Sequence, residues 1–438
     1  MIPASPGPPS PALEAAGALD PVVRRYRAFF ALLDWSAVPN RDAHRAWPGR
    51  TPHPATAYVK ALLVKLCEGK PFVTDLRAYL VDHPLLVLEL GFRPVLDPAE
   101  PYGIVVDRTV PGDRWLRHQQ QTLDPAVLGR LLAGTVAALG AVVPDLGTTV
   151  AVDVKHLYAW VRENNPKETI PHRFDPARQP RGDPDCRLGV KRRANQGDGA
   201  AKEYLWGYGT GIASATDPRY GDVVLAEVTQ PFHRQDITYY HPVFGQAAAN
   251  LGRRPTNIAA DAAFDAWHVY ETCAPDGGLA AVAPNRRGPT PHRDPDGHPR
   301  CDRGLTMASG RDVRHEDGYR AREYGCPLPR PTPTGHACPD PRFAAGRGCV
   351  KRINLEPGGR MRAALDRQSA AYRAVYRQRT SSERITSQAK ALGIERPRVR
   401  SAAAVHRLNT LTYVVINVRA PQRIHARAAI PPRPPTLC

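Results

Sequence analysis

The stretch 366-DRQSAAYRAVYRQRTSSERITSQAKALGI-394 decides how the rest of the chain is understood. It is free of proline until Pro397 and carries Gly393 near its end as a stop signal, so one long helix is expected. Tyr376, Arg379, Glu383 and Lys390 stand in it at offsets of 0, 3, 7 and 14. At roughly 100° per residue these four fall within about 60° of one another, giving one stripe with a phenol, a carboxylate and two cations. Solvated helix faces are polar too. The stripe carries chemistry only if the remaining sequence supplies partner acids and a sheet to present them.

Upstream, the hydrophobic period changes from helical to extended after Pro144. Residues 148–154 (TTVAVDV) form a β-branched apolar run, expected as a buried strand ending at Asp153. A polar loop is expected over 161–202. Two strands follow, 204–215 and 223–228, in hairpin-like succession across DPRYGD. A helix over 236–251 leads to a short strand, 256–261 (TNIAAD), ending on Asp261. A helix over 264–273 and a fifth strand, 279–284 (LAAVAP), complete the series. An antiparallel start followed by alternating helix and strand argues a mixed α/β domain with five strands and flanking helices, over 146–284 and 366–419. Its final element is a helix over 401–419 that packs on the sheet.

Further out the composition shifts. Residues 21–145 show apolar residues at three-to-four spacing in successive segments, as in a small all-helical domain carrying Arg24, Arg25, Arg27, Lys60 and Lys65. Such a domain suits DNA binding of the helix-turn-helix kind, although an amphipathic bundle with solvated cations has the same pattern. Residues 1–20 are Pro/Ala-rich and expected as a disordered leader; 420–438 are expected as a basic, Pro-rich tail. Residues 285–365 interrupt the α/β domain as a loop-like Cys/Pro-rich insertion with Cys301, Cys326, Cys338 and Cys349. A structural Zn²⁺ would staple such a segment, but there is no C-x2-C pair, and unliganded thiols fit the spacing as well.

The chain has 438 residues, room for about two to three domains. Its 60 Lys and Arg against 42 Asp and Glu give a net charge of +18, poised to meet a polyanion. The longest apolar stretches, 131–143 and 411–418, are judged too short to span a bilayer, so nucleic acid is the expected partner. No secretory signal opens the sequence, so a cytoplasmic protein with reduced cysteines is expected.

The spacing Y-x2-R-x3-E-x6-K at 376–390 matches, in all four identities, the signature of a large group of bacterial insertion-sequence DDE transposases, and the chain resembles that family. AVDVKHL around Asp153 is similar to the family's first-acid strand. ADAAF around Asp261 is similar to its D-x-G-F/Y second-acid motif, with Ala263 where glycine is usual. The resemblance implies a ribonuclease H-like fold in which Asp153, Asp261 and Glu383 are catalytic and hold two Mg²⁺, with Mn²⁺ able to substitute. It implies that Tyr376, Arg379 and Lys390 bind the DNA backbone. Two such ions about 3.5–4 Å apart activate the attacking oxygen and stabilise the leaving one, and hard cations of this kind take carboxylate ligands. The implied function is binding of terminal inverted repeats, strand cleavage and strand transfer into target DNA, by at least a homodimer. A domesticated or degenerate copy that only binds DNA is the alternative; a nuclease without strand transfer is a third. Asp265 and Lys155 lie near the two aspartates as lesser candidates, Lys155 for DNA; His156 and His268 lie there too, where they could tune the site but are read first as ordinary structural histidines.

Overall fold

The computed structural model describes residues 11–40, 51–163, 170–172, 174–192, 202–285, 293–294, 296–329, 332–346 and 348–428. In chain order the helices are α1 (Pro11–Leu19), α2 (Pro21–Phe30), α3 (Ala55–Cys67), α4 (Val73–Val81), α5 (Pro84–Leu90), α6 (Val106–Thr109), α7 (Asp113–Thr122) and α8 (Pro125–Val142). Strands β1 (Thr149–Tyr158), β2 (Arg187–Arg192), β3 (Lys202–Asp217) and β4 (Gly221–Pro231) follow, then α9 (Tyr240–Leu251), β5 (Asn257–Ala260), α10 (Trp267–Glu271) and β6 (Ala280–Val282). The chain continues through β7 (Ala308–Arg314), β8 (Arg320–Gly325), α11 (Pro341–Ala344), β9 (Val350–Asn354) and α12 (Pro357–Ala364), and closes with α13 (Ala370–Tyr376), α14 (Thr380–Ala391) and α15 (Ala402–Ala428). This is a mixed α/β protein in two compact units, 1–255 with 378–438 and 256–377. Those boundaries cut across the division expected from sequence: the helical segment and the first strands share a unit, and β5 and β6 share theirs with the insertion.

In the first unit local signals start the helices where expected. Asp20 caps α2, accepting from the backbone N–H of Val22 and Val23 at 2.8 and 2.9 Å, with Pro21 at the first helical position. Its apolar stripe, Val23, Tyr26, Phe29 and Phe30, is buried. Helix α1 corrects the expectation of a wholly disordered leader: Pro11–Leu19 is helical and packs on α2 and α5. Residues 1–10, and 429–438 of the expected tail, lie outside the described residues. The tail expectation is also corrected, because α15 runs on to Ala428.

Strand β3 is long enough to serve three neighbours. One edge pairs antiparallel with β1, from Ala151↔Ser214 to Tyr158↔Gly207. The other edge takes β2 along residues 202–207 and β4 along 208–217. β2 corrects the expected unbroken loop over 161–202, so β1 to β6 number six where five strands were expected. Gly209 and Gly211 are required by what lies on one face of β3. A Cβ at Gly211 would stand 2.6 Å from Tyr239 Cδ1, and one at Gly209 2.3 Å from Tyr239 Oη. The opposite face is covered by α14 and α15, as Ser214 Oγ to Ser381 Oγ (2.9 Å) and Thr210 Oγ1 to Tyr413 Oη (3.2 Å) show. Helix α15 is buried nearly all round from Leu408 to Val418, its Asn409, Thr410, Thr412 and Asn417 included, and packs against β4 and α8, so it is a core helix.

Among the described residues one helix, α8, is long and apolar enough to cross a membrane, where the sequence was judged to hold none. It buries Val127, Leu128, Leu131, Leu132, Val136 and Leu139 inside the first unit and packs on α15, α9 and β4.

In the second unit β5 and β6 pair in parallel, with Ile258↔Ala280 and Ala260↔Val282, and α13 packs on both. The insertion is not the loop its composition suggests. β7, β8 and β9 form a separate antiparallel sheet, and α12 packs against α10. Adjacent charged residues on β8 and β9, Arg322 with Glu323 and Lys351 with Arg352, hid these strands, because a sheet with little apolar cover lacks the period that marks a half-buried strand.

Candidate functional site

The signature stretch is two helices, not one. α13 ends at Tyr376, a tight 3₁₀ turn spans Arg377–Arg379, and α14 starts at Thr380. The break falls at the boundary between the units, so Tyr376 belongs to one and Arg379, Glu383 and Lys390 to the other. The sequence contains no proline or glycine there to announce it. Tyr376 is half-buried and stacks on Tyr372, with ring centroids 5.4 Å apart and planes 11° from parallel.

α14 buries Ser381, Ser382, Ile385 and Ala389. Glu383 and Lys390 lie on its exposed side, and Arg379 Nη2 donates to Glu383 Oε1 at 2.6 Å. Lys390 Nζ stands 3.4 Å from Glu395 Oε1. The helix is locked by a residue that the sequence did not single out. Arg384 forks onto Asp222 of β4 (2.8 and 2.6 Å) and reaches Thr216 and Thr380 as well. Asp222 is buried, and its hydrogen bonds raise the Arg384 pKa further above its usual value.

Asp153 lies in the middle of β1, not at its end, because the ladder with β3 continues to Tyr158. It is half-buried, and its Oδ1 accepts from the Val154 N–H at 2.9 Å. The register places it opposite Ile212, which is itself opposite Glu227 of β4, so the three share the face under α14 and α15. Burial raises the pKa of the Tyr413 phenol on α15, and the Glu227 and Asp153 carboxylates add to the rise. Glu227 is a second residue missed from the sequence. It is 1% exposed and takes Thr410 Oγ1 at 2.5 Å and Thr229 Oγ1 at 3.2 Å, with His406 Nδ1 2.9 Å away. That hydrogen-bonding carboxylate raises the His406 pKa against the opposing pull of burial. Nothing in VVLAEV marks the glutamate as inward-facing, since the strand is apolar on both sides of it.

Asp261 belongs to the second unit. It follows β5 directly and caps a short 3₁₀ turn, its Oδ1 accepting from the Ala263 N–H at 2.9 Å. Asp265, the lesser alternative, sits before α10 rather than inside a helix. It is almost wholly buried, with a fork from Arg362 at 2.8 Å, the Tyr270 hydroxyl at 2.7 Å and the Asn285 N–H at 2.8 Å. Burial pulls its pKa up, but those donors outweigh it and hold the pKa below the usual carboxylate value. It is a structural ion-pair centre.

The Lys155 expectation is corrected by position, whereas the two histidines pack against aromatic rings as structural residues would. Lys155 is buried, with Nζ 2.7 Å from Glu395 Oε1, so it does not face DNA. Burial lowers the Lys155 pKa and Glu395 opposes the fall; Lys155, by hydrogen bonding, in turn holds Glu395 below its usual value. His156 alternates with Lys155 and so lies on the face away from Asp153, against Phe232 with 4.2 Å between ring centroids. His268 packs beside Trp267.

Among the described residues no three His, Cys, Asp or Glu side chains are gathered as a metal cage. The donor chemistry of Asp153, Asp261 and Glu383 nonetheless suits a hard divalent cation, since all are carboxylate oxygens. For the thiols, Gly325↔Val350 brings Cys326 and Cys349 opposite one another at the end of the β8–β9 ladder. Burial and the neighbouring Cys326 and Cys301 thiols push the Cys349 pKa up to about 12, so it is held as a thiol. Cys338 lies half-exposed in the loop between them.

No family model matches the chain, and no curated protein matches it. The structure therefore defines a basic, mixed α/β protein with a carboxylate on a covered sheet face and a second at a strand terminus.

Proposed function

We propose that the protein is a DDE transposase of an insertion sequence, with a ribonuclease H-like catalytic fold. The observation that carries this is the residue pattern on α13 and α14, Tyr376, Arg379, Glu383 and Lys390, together with the packing of α14 on β1, the strand of Asp153. Asp153, Asp261 and Glu383 would hold the divalent ions, Mg²⁺ or Mn²⁺, which supply nucleophile activation and charge neutralisation at the phosphate. The chain's own contribution is positional. β1 fixes Asp153 through a continuous ladder, Arg384 holds the first turn of α14, and Arg379 orients the Glu383 carboxylate by donating to it. Arg379 and Lys390 would grip backbone phosphates, Arg by its planar fork and Lys as a point charge. The partner is double-stranded DNA, the terminal repeats and the target, and both ends must be cut in one assembly, which calls for at least two copies of the chain.

The test is incubation of the protein with Mg²⁺ and DNA carrying the ends of its own element. Strand-transfer products are expected, and Asp153→Asn, Asp261→Asn and Glu383→Gln each should lower them by at least about 10³-fold, as loss of a metal-binding carboxylate does. Nicks without transfer would point to a nuclease. A bound but uncut complex with every divalent ion would leave a DNA-binding protein only.

A further inference from the structure

A second feature of the first unit lies outside the proposed catalytic set. Between α14 and α15 the chain runs Glu395-Arg396-Pro397-Arg398-Val399-Arg400, with an arginine at every second position. Each guanidinium lies over an aromatic ring: Arg396 over Tyr158 at 4.9 Å, Arg400 over Trp160 at 4.9 Å and Arg398 over Phe72 at 5.9 Å. The segment is pinned there, because the Tyr158 N–H donates to the Glu395 carbonyl at 2.9 Å and Arg400 Nε to the Trp160 carbonyl at 3.2 Å. All three arginines stay exposed.

A cavity of about 310 Å³ opens beside this ladder, lined among others by Tyr158, Trp160, Tyr204, Trp206, Arg396 and Arg398. A smaller cavity of about 150 Å³ shares Arg396 and Arg398 and is lined on its other side by Lys65 and Lys70. The lining acid, Glu203, already accepts from the Tyr158 hydroxyl at 2.6 Å. Flat rings and exposed guanidiniums match a ligand with a flat π face and phosphates on either side.

We infer that this groove holds an unpaired nucleotide of a DNA strand, its base against Tyr158 and Trp160 and its flanking phosphates on Arg396, Arg398 and Arg400. A rigid duplex keeps its base faces stacked inside, so the site takes single-stranded or splayed DNA. The inference rests on the proposed function only in taking DNA as the partner, and its test uses neither divalent metal nor element ends.

A fluorescent ten-residue thymidine oligonucleotide is titrated into the full chain in EDTA, and the same oligonucleotide bearing 5-iododeoxyuridine is cross-linked by near-ultraviolet light and mapped by mass spectrometry. Cross-links are expected in the peptide containing Tyr158 and Trp160. Stacking on an aromatic is worth about 1–3 kcal/mol per base, so Trp160→Ala should weaken binding roughly 5- to 150-fold while Trp160→Phe retains most of it. Arg398→Ala should weaken binding and flatten its salt dependence by about one ion. Cross-links only elsewhere would overturn the assignment, as would a Trp160→Ala variant that unfolds at the wild-type temperature and binds within twofold of wild type. Equal competition by a blunt duplex of the same charge would reduce the groove to a general phosphate track and also overturn it. Thymidine monophosphate competing as well as the oligonucleotide would reassign the site to free nucleotides.

Discussion

The sheet of the first unit and the small sheet of the insertion are both antiparallel, yet they are held by different forces. β1, β3 and β4 are sandwiched, with Tyr239 and α9 on one face and α14 and α15 on the other, and Thr210, Ser214, Asp222 and Glu227 on them are buried and paired. β7, β8 and β9 bury little beyond Ala321 and the Met307, Cys301 and Cys326 side chains around them, and their cross-strand contacts are exposed ion pairs such as Arg322–Asp312 and Arg352–Glu323. Removing a partner inside the first sheet strands a desolvated charge, whereas removing one on the second returns a charge to water. Equal-looking ion pairs should thus differ in weight by an order of magnitude.

The sharpest way to break that contrast is Arg384→Ala. It leaves Asp222 buried without its fork, and thermal unfolding should show a loss of about 2–3 kcal/mol, less than for a fully buried pair because Arg384 is itself half exposed. An unchanged midpoint would mean that α14 is held by its apolar side alone.

Lys65 sharpens it from the other direction. This lysine is 6% exposed and its Nζ donates to the Pro71 carbonyl at 3.0 Å; burial lowers its pKa to about 8, with the Asp75 charge opposing the fall. The native state thus sheds a proton that the unfolded chain keeps until about pH 10.4, so this residue costs stability at neutral pH and the cost disappears as pH rises from 8 to 10. Lys65→Met should raise the midpoint at pH 7, by on the order of 2 kcal/mol, and have little effect at pH 10.5. A destabilised variant at pH 7 would show that the carbonyl contact outweighs desolvation.

A smaller effect is expected at His406, whose raised pKa follows from Glu227. A raised histidine pKa contributes stability fully below the unfolded value near 6.5, and that contribution is lost as pH rises through the higher folded value. Wild type should lose about 1 kcal/mol more than His406→Asn between pH 6 and pH 8 in denaturant titrations. Parallel curves would remove the imidazolium from the network. The smallest effect is on the insertion, where Arg352→Ala should cost no more than a few tenths of a kcal/mol by the same titration, and less in high salt.

How much was legible depended on whether a residue's neighbours were near in sequence. Asp20, Asp124 and Ser369 cap their helices through bonds made within three residues, and Gly393 adopts a positive φ of 86° just beyond α14. Such features can be seen in one dimension. The strands bearing Asp153 and Asp261 were visible from their apolar runs, but not the length of β1, which β3 decides by pairing as far as Tyr158. Glu227, Asp222 and Arg384 read as ordinary polar residues because their partners lie about 160 to 190 residues away. The turn at Arg377–Arg379 was hidden for the opposite reason, since every residue near it favours helix.

From the sequence alone come the mixed α/β class, the basic charge, the places where the principal helices and strands begin, and the residue pattern that suggests a transposase. These rest on local propensity and on a period that repeats within one element. Tertiary structure alone decided which face of β1 carries Asp153, where the signature helix divides, that Lys155 is buried rather than offered to DNA, and that three arginines would each find a ring. Those outcomes depend on which distant segment arrives to fill a given space. A side chain's desolvation and its partners are properties of that meeting, not of the residue or its neighbours along the chain.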